Sequence, residues 1–234
     1  MSGAPLRGCF VTGTDTGVGK TVVAAAIVAR LRRDGHAVRA FKPVITGLDE
    51  PPNPDWPPDH QVLARAAGSA PEDVILVGYG PPVSPHLAAE LAGEPPPTPV
   101  AIAAAIAAHA APGAVTVVEG VGGLLVPLGP AGDVRALAAE LGLPLVIAAR
   151  PGLGTINHTL LTVEAARAAG LVIAGVVMTP WPAAPSAVER SNRDTVARLA
   201  GVEVATLAPV AGARPELLAA AAEALPLERW GLVV

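Results

Sequence analysis

The segment FVTGTDTGVGKT at 10–21 restricts the folds open to this chain more than any other feature. An apolar run enters a glycine-rich turn, and the turn opens into Ala-rich helical sequence. A strand–loop–helix unit of this kind converges backbone N–H groups on one point at the positive end of a helix dipole, which makes an anion site. Lys20 adds a point charge suited to the outer phosphates of a nucleoside triphosphate, and Thr21 adds a hydroxyl suited to Mg²⁺. Five residues separate Gly13 from Gly19, where the common phosphate loop has four, but the Gly-Lys-Thr end is intact. A glycine-rich turn without a ligand is the bland alternative. Against it stands the count of bases: of 16 Lys and Arg residues only Lys20 and Lys42 are lysines, so a lysine here calls for a reason.

Beyond this unit, apolar runs at 8–13, 37–42, 114–119, 145–149, 172–178 and 203–207 read as strands. Several are apolar nearly throughout, as strands buried on both faces are. Helical stretches fall near 19–33, 59–67, 84–92, 99–110, 133–141, 155–169, 188–200 and 215–224. The alternation predicts a mostly parallel sheet flanked by helices: an α/β three-layer sandwich of the P-loop NTPase kind, one domain over 1–234. VILVG at 74–78 is a weaker strand candidate. PPNPDWPP at 51–58 and PPPTP at 95–99 read as surface connections, because proline lacks a donor and stops helices.

Composition removes several function classes. A net charge of −4 without a basic run offers nucleic acid no electrostatic footprint. Apolar residues make up 51% of the chain and mean hydropathy is +0.49, yet much of this is alanine. No apolar run approaches the ~18 residues of a membrane span. The start, MSGAPLRGCFVTG, lacks a signal-peptide apolar region, so a cytoplasmic protein is expected. The single cysteine, Cys9, excludes an internal disulfide and reads as a small buried hydrophobe. Histidines 36, 60, 86, 109 and 158 show no metal spacing and read as surface, capping or packing residues.

Three further features carry chemistry. Glu119 ends the run AVTVV and precedes Gly-Val-Gly-Gly; an acid at the C-terminal end of a central parallel strand sits where open α/β sheets bind ligands, and its oxygens suit Mg²⁺. A solvated or Arg-paired strand-end acid is the alternative. Asp59 has two readings: the N-cap of the helix 59–67, or a metal ligand. Lys42 ends its strand before Pro43, which keeps it extended, so its ammonium points toward the phosphate loop if the two strands are neighbours. A second strand–glycine–helix junction, Arg150-Pro-Gly-Leu-Gly-Thr-Ile-Asn157, is either another anion site or ordinary helix initiation with a Thr N-cap.

These residues resemble the dethiobiotin synthetase family over nearly the whole chain. FVTGTDTGVGKT is similar to its long phosphate loop, FKPVITG at 41–47 to its K-P-V-x-[ST]-G segment. SPH at 84–86, VEGVGG at 118–123 and LGTINHTLLT at 153–162 follow in the family's order. The resemblance implies a cytoplasmic homodimer that joins 7,8-diaminopelargonate and CO₂ (or bicarbonate), using ATP or another nucleoside triphosphate and Mg²⁺. It assigns the metal to Thr21, Asp59 and Glu119, and catalysis to Lys42 with Lys20. Nucleotide contacts fall to Gly17, Val18, Gly19, Lys20, Thr21, Val22, Asp59, Glu119, Gly120, Val121 and Gly122, with Thr179, Pro180, Pro209, Val210 and Ala211 about the base. Thr16, Lys42 and Thr46 would meet the substrate, while Gly154, Thr155 and Asn157 of the other subunit would receive its carboxylate.

Two positions depart from the family pattern. Gly17 stands where some members have an acid, and Thr179-Pro180 where several have Asn-Asp. Threonine lacks the paired donor and acceptor of an amide, which loosens the expected base preference. Two rivals share the phosphate loop. A partition-type ATPase switch usually carries an early loop lysine, where this chain has Thr14-Asp15; a cobyrinate-type amidating ligase needs a nucleophilic cysteine, and Cys9 lies on the first strand.

Overall fold

The computed structural model describes residues 6–51, 53 and 56–233. Pro52, Pro54 and Asp55 of the Pro-rich piece, and residues 1–5 of the signal-peptide reading, lie outside them. In chain order the elements are β1 (Arg7–Gly13), α1 (Lys20–Arg33), β2 (Val38–Phe41), β3 (Val44–Ile45), α2 (Asp59–Ala67) and β4 (Val77–Gly78). Next come α3 (Pro85–Ala92), α4 (Pro99–His109), β5 (Val115–Glu119), β6 (Pro127–Gly129), β7 (Gly132–Asp133) and α5 (Val134–Leu141). The chain closes with β8 (Leu145–Ala149), α6 (Thr155–Ala168), β9 (Ile173–Met178), α7 (Ala187–Ala200), β10 (Val204–Thr206) and α8 (Pro215–Ala221).

The main sheet runs β10-β9-β8-β1-β5-β2, parallel throughout. Successive strand residues face opposite sides, so each strand feeds two cores. Cys9 and Val11 of β1 join Val115, Val117, Val146 and Ala148 beneath α1, α2 and α8. Phe10 joins Val118, Leu145, Ile147 and Ala149 against α4, α5, α6 and α7. This is the three-layer sandwich that the alternation predicts, and it explains why β1, β5 and β8 are apolar on both faces. Cys9 is fully buried, and burial pushes its thiol up to about 12. Among the described residues no helix is long and apolar enough to cross a membrane.

The order does not meet the condition set for Lys42: β1 and β2 are not neighbours, because β5 lies between them. Of the candidate strand 74–78 only Val77–Gly78 pairs, with Val44–Ile45. The N–H groups of Leu76 and Val77 both donate to Pro43 O (3.1 and 2.8 Å), so the chain bends there instead of laddering. The β6–β7 hairpin went unread, since strands of three and two residues about Gly-Pro-Ala-Gly show no alternation. The 95–99 piece is more than a surface connection: Pro99 is buried at the start of α4, and the Thr98 side chain caps that helix by accepting from Ala101 N (3.2 Å).

Candidate active site

β1 occupies the interior of the sheet, so the loop after it emerges between the ends of β5 and β8. Thr14 N–H donates to Ala148 O (3.0 Å), which ties the loop to β8. The loop ends at Gly19, the N-cap of α1, with φ 93° and no side-chain cap. A side chain there would be strained by the left-handed backbone, and its Cβ would lie 2.6 Å from Thr179 Cγ2. Lys20 is buried, and its Nζ donates to Asp15 O (2.9 Å) within the loop. Burial holds its ammonium below the ordinary lysine range, against an opposing pull from Glu119.

Three charged side chains from three elements meet beside this loop. Lys42 Nζ donates to Glu119 Oε1 (2.6 Å) and to Asp59 Oδ2 (2.5 Å). Thr21 Oγ1 donates to the same Glu119 Oε1 (2.8 Å). Burial alone would lower the Lys42 pKa; the facing Glu119 and Asp59 carboxylates outweigh it and hold the ammonium above its usual range. In this arrangement Lys42 is a buried ammonium that donates a hydrogen bond to each carboxylate. Burial is the largest influence on Asp59 and raises it, but Lys42, Thr21 and Lys20 together hold the carboxyl below its ordinary range. Glu119 is fully buried, which pushes its carboxyl up while Lys42 pulls it down. Its Oε2 is also buried and has no partner among the described residues. A buried carboxylate oxygen without a partner is costly, and a hard cation would satisfy it.

Two adjacent cavities open here, with Gly17, Gly19, Val22 and Trp56 in both linings. A cleft of about 1210 Å³ is lined by the phosphate loop, Lys42, Thr46, Asp59 and Glu119. A smaller cavity of about 280 Å³ continues past Gly17, Val18 and Gly19 to Thr179, Pro180, Pro209 and Val210. The large cleft thus joins cationic, anionic and hydroxyl groups, while the small one is mostly apolar.

Most residues singled out from sequence converge on these two spaces. Thr16, Gly17, Gly19, Lys20, Thr21 and Val22 line the cleft, as do Val121 and Gly122 after β5. Gly120 is buried behind them, where a Cβ would meet Phe10 and Val134 at 3.0 Å. Asp59 is not an N-cap: Pro58 holds that place, and the Asp59 carboxylate turns to Lys42. Lys42 is linked to the phosphate-loop unit although β2 is not a neighbour of β1, because β5 presents Glu119, whose Oε1 accepts from both Lys42 Nζ and Thr21 Oγ1. Ala211 is exposed and outside the small cavity, where Ala208 and Arg150 appear instead. Gly154, Thr155 and Asn157 line neither space. Thr155 is also no N-cap; Gly154 is, and the Thr155 hydroxyl lies 3.4 Å from that of Thr159. Trp56 lines the cleft without having been singled out, and so does His60, which the sequence placed with the surface, capping or packing histidines. A tryptophan inside a proline-rich run was the available signal.

Fold and site together define a P-loop nucleotide-binding protein of the parallel α/β class. Solved structures of McdA from Cyanothece, without nucleotide and with ATP, share the fold with TM-scores of 0.51 and 0.50. They are 12% and 13% identical, covering 97% and 98% of this chain and 96% and 94% of theirs. An AAA domain family model matches residues 7–217. Much closer in sequence are proteins named ATP-dependent dethiobiotin synthetase BioD. That of Mycobacterium sp. (strain KMS) is 45% identical over 88% of this chain and 89% of its own length. That of Mycobacterium avium (strain 104) is 44% identical over 91% and 93%, and that of Haloferax mediterranei 38% over 94% and 91%. The chain belongs to the ATP-dependent dethiobiotin synthetase family. Neither the partition-type switch nor the amidating ligase is favoured by these relatives.

Proposed function

We propose that this chain closes the ureido ring of dethiobiotin from 7,8-diaminopelargonate and CO₂ at the expense of ATP. One amine takes up CO₂ and loses a proton to give a carbamate. A carbamate oxygen attacks the γ-phosphorus, and the diphosphate leaves. The second amine then attacks the carbonyl carbon, a proton is lost, and inorganic phosphate departs as the ring closes. Such chemistry needs neutralisation and alignment of charge more than a strong base.

The convergence of Lys20, Lys42, Asp59, Glu119 and the phosphate loop in one cleft is the observation that carries this reading. Lys20 and the Gly17–Val22 backbone would hold the phosphates, with Gly120, Val121 and Gly122 beside them. Thr16, Lys42 and Thr46 would meet the diamine end, where the Lys42 ammonium faces the carbamate. Mg²⁺ fits the oxygen set of Thr21, Asp59 and Glu119, and the orphaned Glu119 Oε2 supports that fit. When bound, it supplies positive charge to the phosphate oxygens. The base would enter the small cavity between Thr179-Pro180 and Pro209-Val210, with Ala211 at its margin.

The far carboxylate of the substrate needs a site of its own. We assign it to Gly154, Thr155 and Asn157 of a second subunit in a homodimer. Support comes from a helix start without a side-chain cap, bordered by exposed Leu153 and Leu161. A cytoplasmic location, where triphosphates are supplied, belongs to the same reading. The test is phosphate release from ATP measured with diaminopelargonate and bicarbonate supplied together or singly. Release should require both; release that persists at full rate without the diamine would overturn the reading.

A further inference from the structure

Of the three tryptophans, Trp230 is buried and Trp181 is covered by the Arg193 guanidinium, 5.7 Å from its ring centroid. Trp56 differs from both, because it lines the large cleft and also the small cavity. Apart from Gly17, Gly19 and Val22 of the phosphate-loop unit, no other described residue lines both. It is also the only Phe, Tyr or Trp in either lining among the described residues.

Its position is held from two directions. Pro57 and Pro58 follow it, and their fixed φ angles limit how the chain enters α2. The Trp56 N–H donates to Asn53 O (3.4 Å) on the other side. The ring itself is partly buried against the core beneath α1, in company with Val22 and Val210, which line the small cavity too. Meanwhile that cavity offers few groups to read a base edge. Thr179 is buried and turns its methyl group toward Gly19, and Pro180 and Pro209 have no N–H to offer. Arg150, the one charged side chain among the described residues of the lining, donates to Thr16 O and Gly17 O (3.3 and 3.5 Å).

We infer that Trp56 is the nucleobase-packing residue of this site: its indole lies against the base or ribose of the bound triphosphate, and affinity for the base comes from stacking. This rests on the reading that the small cavity receives the base. It adds a residue to that site, and it explains how a cavity without an amide reader can still hold a base. Every base has a π-face, so stacking selects by surface area and favours a purine modestly over a pyrimidine.

The experiment compares binding of ATP, CTP and inorganic tripolyphosphate, each with Mg²⁺, by calorimetry to the parent, Trp56→Leu and Trp56→Phe. Leucine keeps apolar packing without the π-face, and both variants are checked for folding by circular dichroism. ATP should bind the parent more tightly than tripolyphosphate does. Trp56→Leu should weaken ATP binding roughly five- to hundredfold while tripolyphosphate binding stays within about twofold, and Trp56→Phe should keep most of the ATP affinity. ATP should also quench parent tryptophan emission, and the quench should vanish in Trp56→Phe, where Trp181 and Trp230 remain. If ATP binds the parent no better than tripolyphosphate, the base-cavity reading fails and Trp56 falls with it. If the ATP advantage and the quench both survive removal of the indole, the cavity stands and Trp56 is only a packing residue.

Discussion

Two helices in this molecule, α1 and α6, begin in the same way. Each follows a parallel strand through a glycine-rich loop, and each has a left-handed glycine as N-cap, Gly19 at φ 93° and Gly154 at φ 85°, with no side-chain cap. Elsewhere Thr98, Asp133 and Ser186 side chains cap α4, α5 and α7. The local recipe for an anion-receiving helix start is thus present twice, but the surroundings differ. The α1 start is enclosed by Lys20, Lys42, Asp59 and Glu119. At α6 the start is bare: Asn157 is exposed, Leu153 is 91% exposed, and neither of the two cavities reaches it. Backbone geometry makes such a site possible, and the neighbouring chain decides whether it is furnished. At α1 the neighbours belong to the same subunit; at α6 we assign them to another.

The largest effect should come from emptying the α1 site of its charge. Lys20→Ala should weaken triphosphate binding roughly ten- to hundredfold and abolish turnover. Lys42→Ala should leave triphosphate binding closer to intact and cost roughly a thousandfold or more in kcat. Arginine at 42 should not rescue, because a planar fork cannot sit between Glu119 and Asp59 as an ammonium does. Lys42→Ala strips a buried carboxylate of its cation, a change that typically costs ~3–5 kcal/mol of stability. Rates should therefore be compared well below each variant's Tm. Near-normal turnover of folded Lys42→Ala would remove its catalytic role.

Breaking the α6 site should be as severe but repairable in trans. Asn157→Ala and Lys42→Ala subunits, each inactive alone, should regain activity when exchanged into tagged heterodimers. One site per heterodimer then carries both residues, so half the parental activity is the ceiling. Isolated heterodimers as inactive as their parents, or an active enzyme that sediments as a monomer, would end the shared-site assignment.

Smaller effects sharpen the contrast at the metal. Asp59→Asn and Glu119→Gln should each raise the Mg²⁺ concentration for half-maximal rate by about tenfold or more. Asp59 is the cleaner probe, since its side chain is 41% exposed and leaves no buried charge unpaired. Parent-like Mg²⁺ titrations in both variants would return these acids to ion pairing alone. The mildest expectation concerns the base. With Thr179 in place of an amide, CTP or other triphosphates should support turnover within about a hundredfold of ATP. Complete inertness of every other triphosphate at saturation would show a base reader that the small cavity does not display.

Much of the fold was legible because its signals are local. Strands such as β1 and β8 are apolar on both faces, a pattern contained within a few residues. Site legibility followed the same rule. Gly13–Thr21 is a contiguous unit, and Glu119 stands at a strand end whose importance the fold class predicts. The β3–β4 pair and the β6–β7 hairpin were hidden because such short strands depend on distant partners.

Asp59 shows where local reading stops. An acid after two prolines at a helix start has every local mark of an N-cap, yet its carboxylate is taken by Lys42, 17 residues away in sequence. Trp56 carried no motif, and only the packing of α2 beside the phosphate loop put it at the mouth of two cavities. Sequence alone determined the phosphate loop and the parallel α/β class, which rest on contiguous backbone geometry and apolar period, and the family, which rests on the resemblance of five short segments in order. Tertiary structure decided which charges meet. The interposed β5 brings Glu119 between Lys42 and Thr21, and that depends on strand order, which a residue pattern read along the chain does not contain.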